Sequence, residues 1–400
     1  MLPQPTVPTS LATLLAAVRP CLTAPSYRTF CQLVCGLIVA GGRRTVTGML
    51  TGAGLARVWH HSRAHHLFAY ARWSPDRLGL ALLQLVAARL VPAGQPIELV
   101  IDDTLFRRRG RRVHAAYWTH DGSAADRRKI GYGNRWVICC VLVRLPFCSR
   151  PVALPVGFRL WRGKGTTTPV QLAVELVQLV AEAFPERRID VVADAAYSSP
   201  ALRALPEPVS WTLRLRRNAR LDALAPPRTG RRGRPRLRGD RLGTPADLAA
   251  TATFTGVEVL RYGVGQQITV TAVTCLWYEP FHTRTCRVVL IRETGTTTGY
   301  DLALLTTDLD SPPAAIVERY AARWSIEVAI FDAKQITGAG QARNRLRTAV
   351  ERTVPFALLV QTLVVLWYTD HGDPAGDLAA IRAAAPWYTT KAEPSYADMH

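Results

Sequence analysis

The stretch "RIDVVADAAY", residues 188–197, decides how the chain is read. Ile189, Val191, Val192 and Ala193 form a short apolar run rich in β-branched residues, as a strand buried on both faces requires. The run ends at an acid, Asp194. Asp190 stands two residues from the charged turn at Glu186–Arg188, and that spacing predicts a surface position for it. Upstream, "TPVQLAVELVQLVAEAF" (168–184) carries an apolar stripe at helical spacing. Downstream, "SPALRAL" (199–205) reads as a short helix and "VSWTLRLR" (209–216) as another strand.

Further upstream lie three more strands. They are "IELVIDDT" (97–104), "RWVICCVLVRLPF" (135–147) and "PVALPVGFRLW" (151–161), with a basic, irregular stretch between the first two. The order is strand, strand, strand, helix, strand, helix, strand. Three consecutive strands make an antiparallel meander, and strands that return through helices must pair in parallel. This order matches an α/β fold with a ribonuclease H-like core, a mixed five-stranded sheet with flanking helices. A match of topology does not by itself fix function.

The rest of the chain is read around that core. Residues 1–92 are helical, with "SPDRLGLALLQLVAARL" (74–90) opening on a Ser cap and a Pro at the first helical position. Residues 93–216 are the first part of the core. Residues 217–308 read as a basic, mostly β insertion, with strands at "VEVLRY" (257–262), "ITVTAVTCLW" (268–277), "CRVVLIR" (286–292) and "YDLALLTT" (300–307). "DSPP" (310–313) then caps one long helix ending near Gly338, and a second apolar helix runs from about 346 to 368, so that 309–370 completes the core. Residues 371–400 read as a loose polar tail.

Composition narrows the partner. The 400 residues carry a formal charge of +20, and the pI is about 10.3. Such an excess implies a polyanion, nucleic acid before membrane. Only Lys129, Lys164, Lys334 and Lys391 are lysines; the other 46 basic residues are arginine, the better fork for phosphate. The charge is local: 105–135 holds nine basic groups against two acids, and 214–241 eleven arginines against two. Within the second, "RRGRPR" (231–236) resembles an arginine hook for a narrow minor groove, which would use Arg232 and Arg234; a basic linker is the plainer reading. The eight cysteines form no C-x-x-C pair and sit mostly in apolar runs, as small buried hydrophobes of a reducing compartment do. "MLPQPTVPTS" has no basic n-region, and the longest apolar run, "FALLVQTLVVLW" (356–367), is short for a bilayer span. The expectation is a cytoplasmic protein with no membrane partner. No Walker A motif calls for a nucleotide cofactor and no G-x-S-x-G for serine catalysis. His61 and His65 have metal-pair spacing but no third ligand, and read as a partly exposed helix.

A nuclease site on such a core needs carboxylates around divalent metal. Two Mg²⁺ ions, about 3.5–4 Å apart, activate the attacking oxygen and stabilise the leaving one. Mg²⁺ takes few protein carboxylates, so three acids suffice, and Mn²⁺ is expected to substitute. The first strand offers Asp102 and Asp103, which point to opposite faces. Asp102 is preferred, because Thr104 shares its face, and Asp103 is the alternative. The later strand offers Asp194, whose plain reading is a cap for the helix near Ser199. The third acid comes from "YAARWSIEVAIFDAK" (320–334). On a helical wheel, Tyr320, Arg323, Glu327 and Lys334 fall at roughly 0°, 300°, 340° and 320°, one polar stripe on an otherwise apolar helix. An exposed Arg323–Glu327 pair would explain two of the four.

Those four residues, spaced Y-x₂-R-x₃-E-x₆-K, resemble the signature of a branch of bacterial insertion-sequence DDE transposases. With "IDDT", "VVADAAY" and the β insertion, the resemblance spans roughly 95–368. It implies a DNA transposase with Asp102, Asp194 and Glu327 as the metal-binding catalytic triad, cutting element ends and joining them to target DNA. It implies that Tyr320, Arg323 and Lys334 hold phosphates, and that Trp324 either stacks a displaced base or packs in the core. It further implies double-stranded DNA partners (terminal inverted repeats and target), a homodimeric synaptic complex, a nucleoid-associated place in a bacterial cytoplasm, and a DNA-end-binding role for the N-terminal helices. The competing readings are a DNA-binding remnant or domesticated regulator, and a related structure-specific nuclease that does not join.

Overall fold

The computed structural model of the chain describes residues 7–122, 124, 129–227, 234–387 and 389–400. These form two compact units: residues 1–93, 103–168 and 325–400 in one, residues 94–102 and 169–324 in the other. The strand that carries Asp102 and Asp103 is shared between them, since β1 runs Ile97–Arg107.

The first unit starts with five helices: α1 (Thr9–Ala16), α2 (Ala24–Val39), α3 (Val46–Gly52), α4 (Ser62–Ala69) and α5 (Pro75–Leu90). Pro75 takes the first helical position of α5 as the sequence predicts, although the Ser74 side chain makes no cap hydrogen bond. Its sheet contains β2 (Tyr117–His120), β3 (Ile130–Val143) and β4 (Val152–Trp161), with β3 antiparallel to both neighbours. The stretch expected to be irregular up to Asn134 thus contains β2 and the start of β3. Residues 103–107 of β1 flank β3 on its other side. α5 lies flat on β4 because Gly79 has no side chain: a Cβ there would meet the Val156 carbonyl oxygen at 1.9 Å.

The core of this unit is a late helix, α11 (Arg347–His371), 25 residues long and buried along most of its length. Phe356 meets Phe30 of α2 and Phe68 of α4, both edge-on, with centroids 5.3 and 5.2 Å away. Thr362 donates to the Pro155 carbonyl of β4 at 2.7 Å. By length and composition α11 could cross a bilayer, since the helix runs through Pro355 rather than starting after it, but 89% of its most apolar window is buried inside the protein. Residues after Asp370 are not loose. They form α12 (Pro374–Ala384) and α13 (Tyr396–Met399); Tyr396 is buried, and its hydroxyl lies 3.1 Å from Thr337 Oγ1. Two aromatics and a capping box made by Ser395 and Asp398 anchor what composition alone describes as polar.

The second unit is one mixed, mostly antiparallel sheet with flanking helices. β5 (Ile189–Ala193) pairs in parallel with β1 on one side and β6 (Val209–Arg214) on the other. α6 (Pro169–Ala183) precedes β5 and a 3₁₀ segment, Pro200–Ala204, leads to β6, so both parallel pairings are closed by crossovers. The sheet then continues antiparallel from β6 through β12 (Leu302–Thr306), β11 (Thr285–Arg292) and β10 (Val264–Leu276), with β9 (Thr255–Arg261) beside β10. Short strands β7 (Leu221–Asp222) and β8 (Arg241–Gly243) extend its edge; α7 (Pro245–Thr251) and α8 (Tyr278–Phe281) are brief connectors.

The long helix expected after "DSPP" is two helices, α9 (Pro313–Ala322) and α10 (Trp324–Gln335), with Arg323 between them. The Arg323 amide bonds the Tyr320 carbonyl three residues back, a tightened turn that interrupts the α-helical ladder. Helical periodicity runs straight through this point, so no pattern announces the break. The cap also differs: the position before α9 is Pro312, and Asp308 Oδ1 accepts from the amides of Asp310 (3.0 Å) and Ser311 (3.1 Å) instead. α9 seats Ile316 and Val317 in a core with Val259, Ile268, Val270, Val289, Ile291 and Leu304, against which Tyr320 also packs. Each such aliphatic side chain contributes about 1.5–3 kcal/mol by leaving water.

Candidate active site at the strand ends

Register builds the site. β1 and β5 are parallel with Ile101 opposite Ala193, and β5 and β6 with Ala193 opposite Leu213. One position further along are Asp102, Asp194 and Arg214, a row at the carboxyl ends of β5 and β6 and at the point on β1, which runs on to Arg107, where its pairing with β5 stops. In sheets built from strand–helix crossovers, ligands bind outside such ends. Asp102 and Asp194 are both half-buried and Arg214 is exposed. Arg214 was not singled out from the sequence; the only signal for it was its place as the last residue of β6.

α9 brings two more groups to this row. Arg323 Nη1 lies 3.5 Å from Asp102 Oδ2, and its guanidinium sits 5.9 Å from the Tyr320 ring centre. Burial pushes the Tyr320 phenol up, while Arg323 and Arg214 pull it down and Asp194 raises it further. Asp102, Asp194, Arg214, Tyr320 and Arg323 therefore form one electrostatic neighbourhood. The plainer reading of Asp194 is also realised, in a different place. Its side chain accepts from the Ala196 amide and caps the 3₁₀ turn Ala195–Tyr197, while Ser199 caps the next segment itself. That bond uses one carboxylate oxygen.

Asp190 corrects the sequence reading. It is fully buried rather than at the surface. Ser210 donates to its Oδ1 at 2.6 Å, Arg188 Nε lies 2.8 Å from the same oxygen, and Arg319 lies 3.2 Å from Oδ2. Arg319 Nη1 also reaches Asp308 at 2.8 Å, and Arg188 pairs with the same acid, which closes a ring of two acids and two arginines. Burial alone would raise the Asp308 carboxyl; hydrogen bonds from Ser311 and Arg319 and the charge of Arg188 outweigh it and hold the group well below the usual carboxylate range. The charged turn next to Asp190 is its partner, not a sign of solvent.

Of the remaining candidates, Asp103, Glu327 and Lys334 belong to the other unit and Trp324 is the last residue of this one. Asp103 is tightly paired with Arg135, whose guanidinium also lies 5.2 Å from the Trp161 ring centre. Lys334 Nζ donates to Thr104 Oγ1 at 2.7 Å, and burial lowers its pKa. Glu327 lies half-buried in the first turn of α10. Trp324 is 48% exposed, so packing in the core is excluded for it; Val328 and Phe331 are exposed on the same helix, while Ile326, Ala329 and Ala333 are its buried side.

The basic segments divide on inspection. Arg108 is buried, donating to Asn134 Oδ1 at 2.9 Å and to the carbonyls of Gly340 and Ala342, and burial lowers it to about 10. Arg107 pairs with Asp121 at 2.8 Å. These and Arg135 are struts of the fold, whereas Arg109, Arg111 and Arg112 are exposed. Of the minor-groove candidates, Arg234 is exposed and Arg232 lies outside the described residues. His61 and His65 are exposed with rings 6.0 Å apart, and all eight cysteines are free thiols.

Oxygen donors from Asp102 and Asp194, adjacent in register, suit a hard divalent cation, and the proximity of two like charges is eased by one. Among the described residues no three His, Cys, Asp or Glu side chains stand as a ready-made metal cluster. Comparison with curated proteins gives no match. The family profile described as DDE superfamily endonuclease matches residues 17–283, which includes Asp102 and Asp194 and ends before Tyr320. That match covers well over half of the chain, and the protein belongs to the DDE superfamily of endonucleases.

Proposed function

We propose that this endonuclease is an insertion-sequence transposase that cuts double-stranded DNA at element ends and joins them to a target. The observation that carries the reading is the register that sets Asp102 beside Asp194 where the parallel pairing of β1 and β5 ends, with Arg323 3.5 Å from Asp102. Asp102 and Asp194 would hold Mg²⁺, or Mn²⁺ in its place, with Glu327 as the third acid; the bound metal supplies Lewis-acid activation and charge neutralisation. Asp102 is preferred to Asp103, because Arg135 already closes on Asp103 while Arg323 stands off Asp102 at 3.5 Å.

In hydrolysis, water attacks phosphorus, the P–O3′ bond breaks, and the 3′-oxygen leaves and takes up a proton. In joining, that 3′-OH attacks a second phosphodiester, forming one P–O bond as another breaks, so no energy source is needed. The chain's own work is positioning and charge. Arg323 is a fork held at the site by Asp102, placed to meet a phosphate. Arg214 adds a second cation beside Asp194. Tyr320 orients Arg323. Lys334, fixed by Thr104, presents a point charge, and exposed Trp324 offers a face for a displaced base. A synaptic homodimer on paired ends belongs to the same reading, as does DNA-end binding by the N-terminal helices.

The test incubates purified protein with supercoiled DNA bearing the element's terminal repeats and Mg²⁺. Cleaved and joined products are expected from the parent and neither from Glu327→Ala. Cleavage without joining would favour the structure-specific nuclease, and full activity of Glu327→Ala would remove Glu327 from the mechanism.

A further inference from the structure

Much of the second basic segment does not lie open along the surface. It folds back as a hairpin. Asp222 of β7 pairs with Arg241 of β8, the Ala223 amide bonds the Asp240 carbonyl at 2.8 Å, and the Gly239 amide bonds the Ala223 carbonyl at 2.9 Å. Only glycine fits at 239, where a Cβ would meet the Leu224 carbonyl oxygen at 2.4 Å and Ala223 Cβ at 2.9 Å. Together with Trp277 and Tyr278, the hairpin walls a cleft of about 850 Å³. Arg216, Arg220, Arg236, Arg238 and Arg241 line it, and all five are exposed.

The lining is arranged rather than merely basic. Arg238 donates to Asp222, itself nearly buried, at 3.1 Å, and its guanidinium sits 5.1 Å from the Tyr278 ring centre, so its fork is held in place. Arg236 is steadied by Asp240 at 3.0 Å. Arg220 and Arg241 add positive charge beyond what Asp222, Asp240 and Glu279 balance. Five guanidinium groups against three carboxylates leave an excess of two positive charges in the cleft, which favours an entering anion. Arg216 also donates from Nε to the Ala195 carbonyl at 3.4 Å, so the cleft borders the turn that Asp194 caps.

We propose that this cleft binds the phosphodiester backbone of duplex DNA, as a sequence-independent hold beside the strand-end acids. The shared chemistry is phosphate on an arginine fork; a free nucleotide could offer it too, and the experiment separates the two. The inference rests on the DNA-cutting reading only for the identity of its ligand.

The experiment measures binding of a labelled 30-bp duplex by full-length protein at about 50–200 mM salt, for parent, Arg220→Gln, Arg241→Gln and the double variant. Each phosphate contact contributes about 0.9 to the slope of log K against log salt, so each single variant is expected to flatten the slope by about one and the double by about two. The loss should be equal for duplexes of unrelated sequence, and Arg382→Gln, on the exposed C-terminal helix, should leave the slope unchanged. A double variant with parental melting temperature and parental slope overturns the proposal. Calorimetric ATP binding by the parent, lost in the double variant while its duplex slope stays parental, overturns it in favour of a nucleotide site. Asp102→Asn and Asp194→Asn keep the two readings apart. If none of the proteins cuts DNA but the slope still falls in the double variant, the cleft stands and the transposase reading fails. If cutting is abolished by the aspartate variants while the slope does not respond to the arginines, only the cleft fails.

Discussion

β5 has an aspartate near each end, and the two ends have opposite fates. Asp190 and Asp194 are four residues apart, so they point to the same face of the same strand. At the start of the strand, Arg188 and Arg319 close on Asp190 and Asp308, Ser210 and Arg188 both bond Asp190 Oδ1, and water is excluded. At its end, Asp194 uses one oxygen to cap a turn and remains half-buried next to Asp102, with Arg323 standing off at 3.5 Å. Arg319 and Arg323 are one helical turn apart, so a single stretch of chain serves both ends. Residue type does not separate a structural acid from a chemical one. What separates them is burial: Arg188 and Arg319 seal Asp190 away from water, while Asp194 stays half-exposed next to Asp102.

The comparison breaks first at the closed end. Arg319→Ala leaves two buried carboxylates sharing Arg188 as their cation and should cost about 3–5 kcal/mol in urea unfolding; a loss below 1 kcal/mol would mean that the ring is not structural. Asp308 fixes the sign of the pH dependence. Its carboxyl is depressed in the folded state, so its stabilisation is present above the ordinary value of 3.8 and drains away as pH falls below it. Asp308→Asn should therefore flatten the acid limb of a stability–pH curve.

At the open end, Asp194→Asn should lower cleavage by at least about 10²–10³-fold, as loss of a central electrostatic group does, while thermal stability stays near parental. A drop in stability equal to that of Arg319→Ala would erase the distinction between the ends. Arg323→Ala should weaken cleavage by about ten- to a hundred-fold, the range for one charge-assisted hydrogen bond. The smallest effect belongs to Asp332 of α10, whose carboxyl burial raises to about 6. The folded state then holds a proton that the unfolded chain releases, so stability falls as pH rises from about 4 to about 6. Asp332→Asn should remove that slope and add about 1 kcal/mol at pH 7, after discounting for partial exposure.

The strand-end pair was legible in the sequence because it needs only local signals: an apolar run that stops at an acid, twice, in strands that must be parallel. Asp190 was misread because the adjacent Arg188 looks like a sign of solvent, while the arginine that closes over it from the other side is remote in the chain. Arg319 lies 129 residues away, and a strand buried on both faces hides an acid that seems adjacent to solvent. The break at Arg323 leaves no mark on periodicity, and with it the exposure of Trp324, Val328 and Phe331 was unforeseeable from a continuous wheel. The tail was misjudged because Tyr396 and Tyr368 anchor it singly, without a run. Charge density flagged both basic segments but could not tell the strut Arg108 from the open Arg109.

The meeting of Phe356 with Phe30 and Phe68 sets an order of events during synthesis. The first helices leave the ribosome long before the helix that fills their core, and at about 5–20 residues per second they wait on the order of tens of seconds. During that interval their apolar faces lack the cover that α11 supplies, which would make the nascent chain a client for a holding chaperone. A message cut short anywhere before the codons for α11 yields helices without a centre, so an incomplete copy of the gene should be cleared by proteolysis rather than persist as a stable fragment.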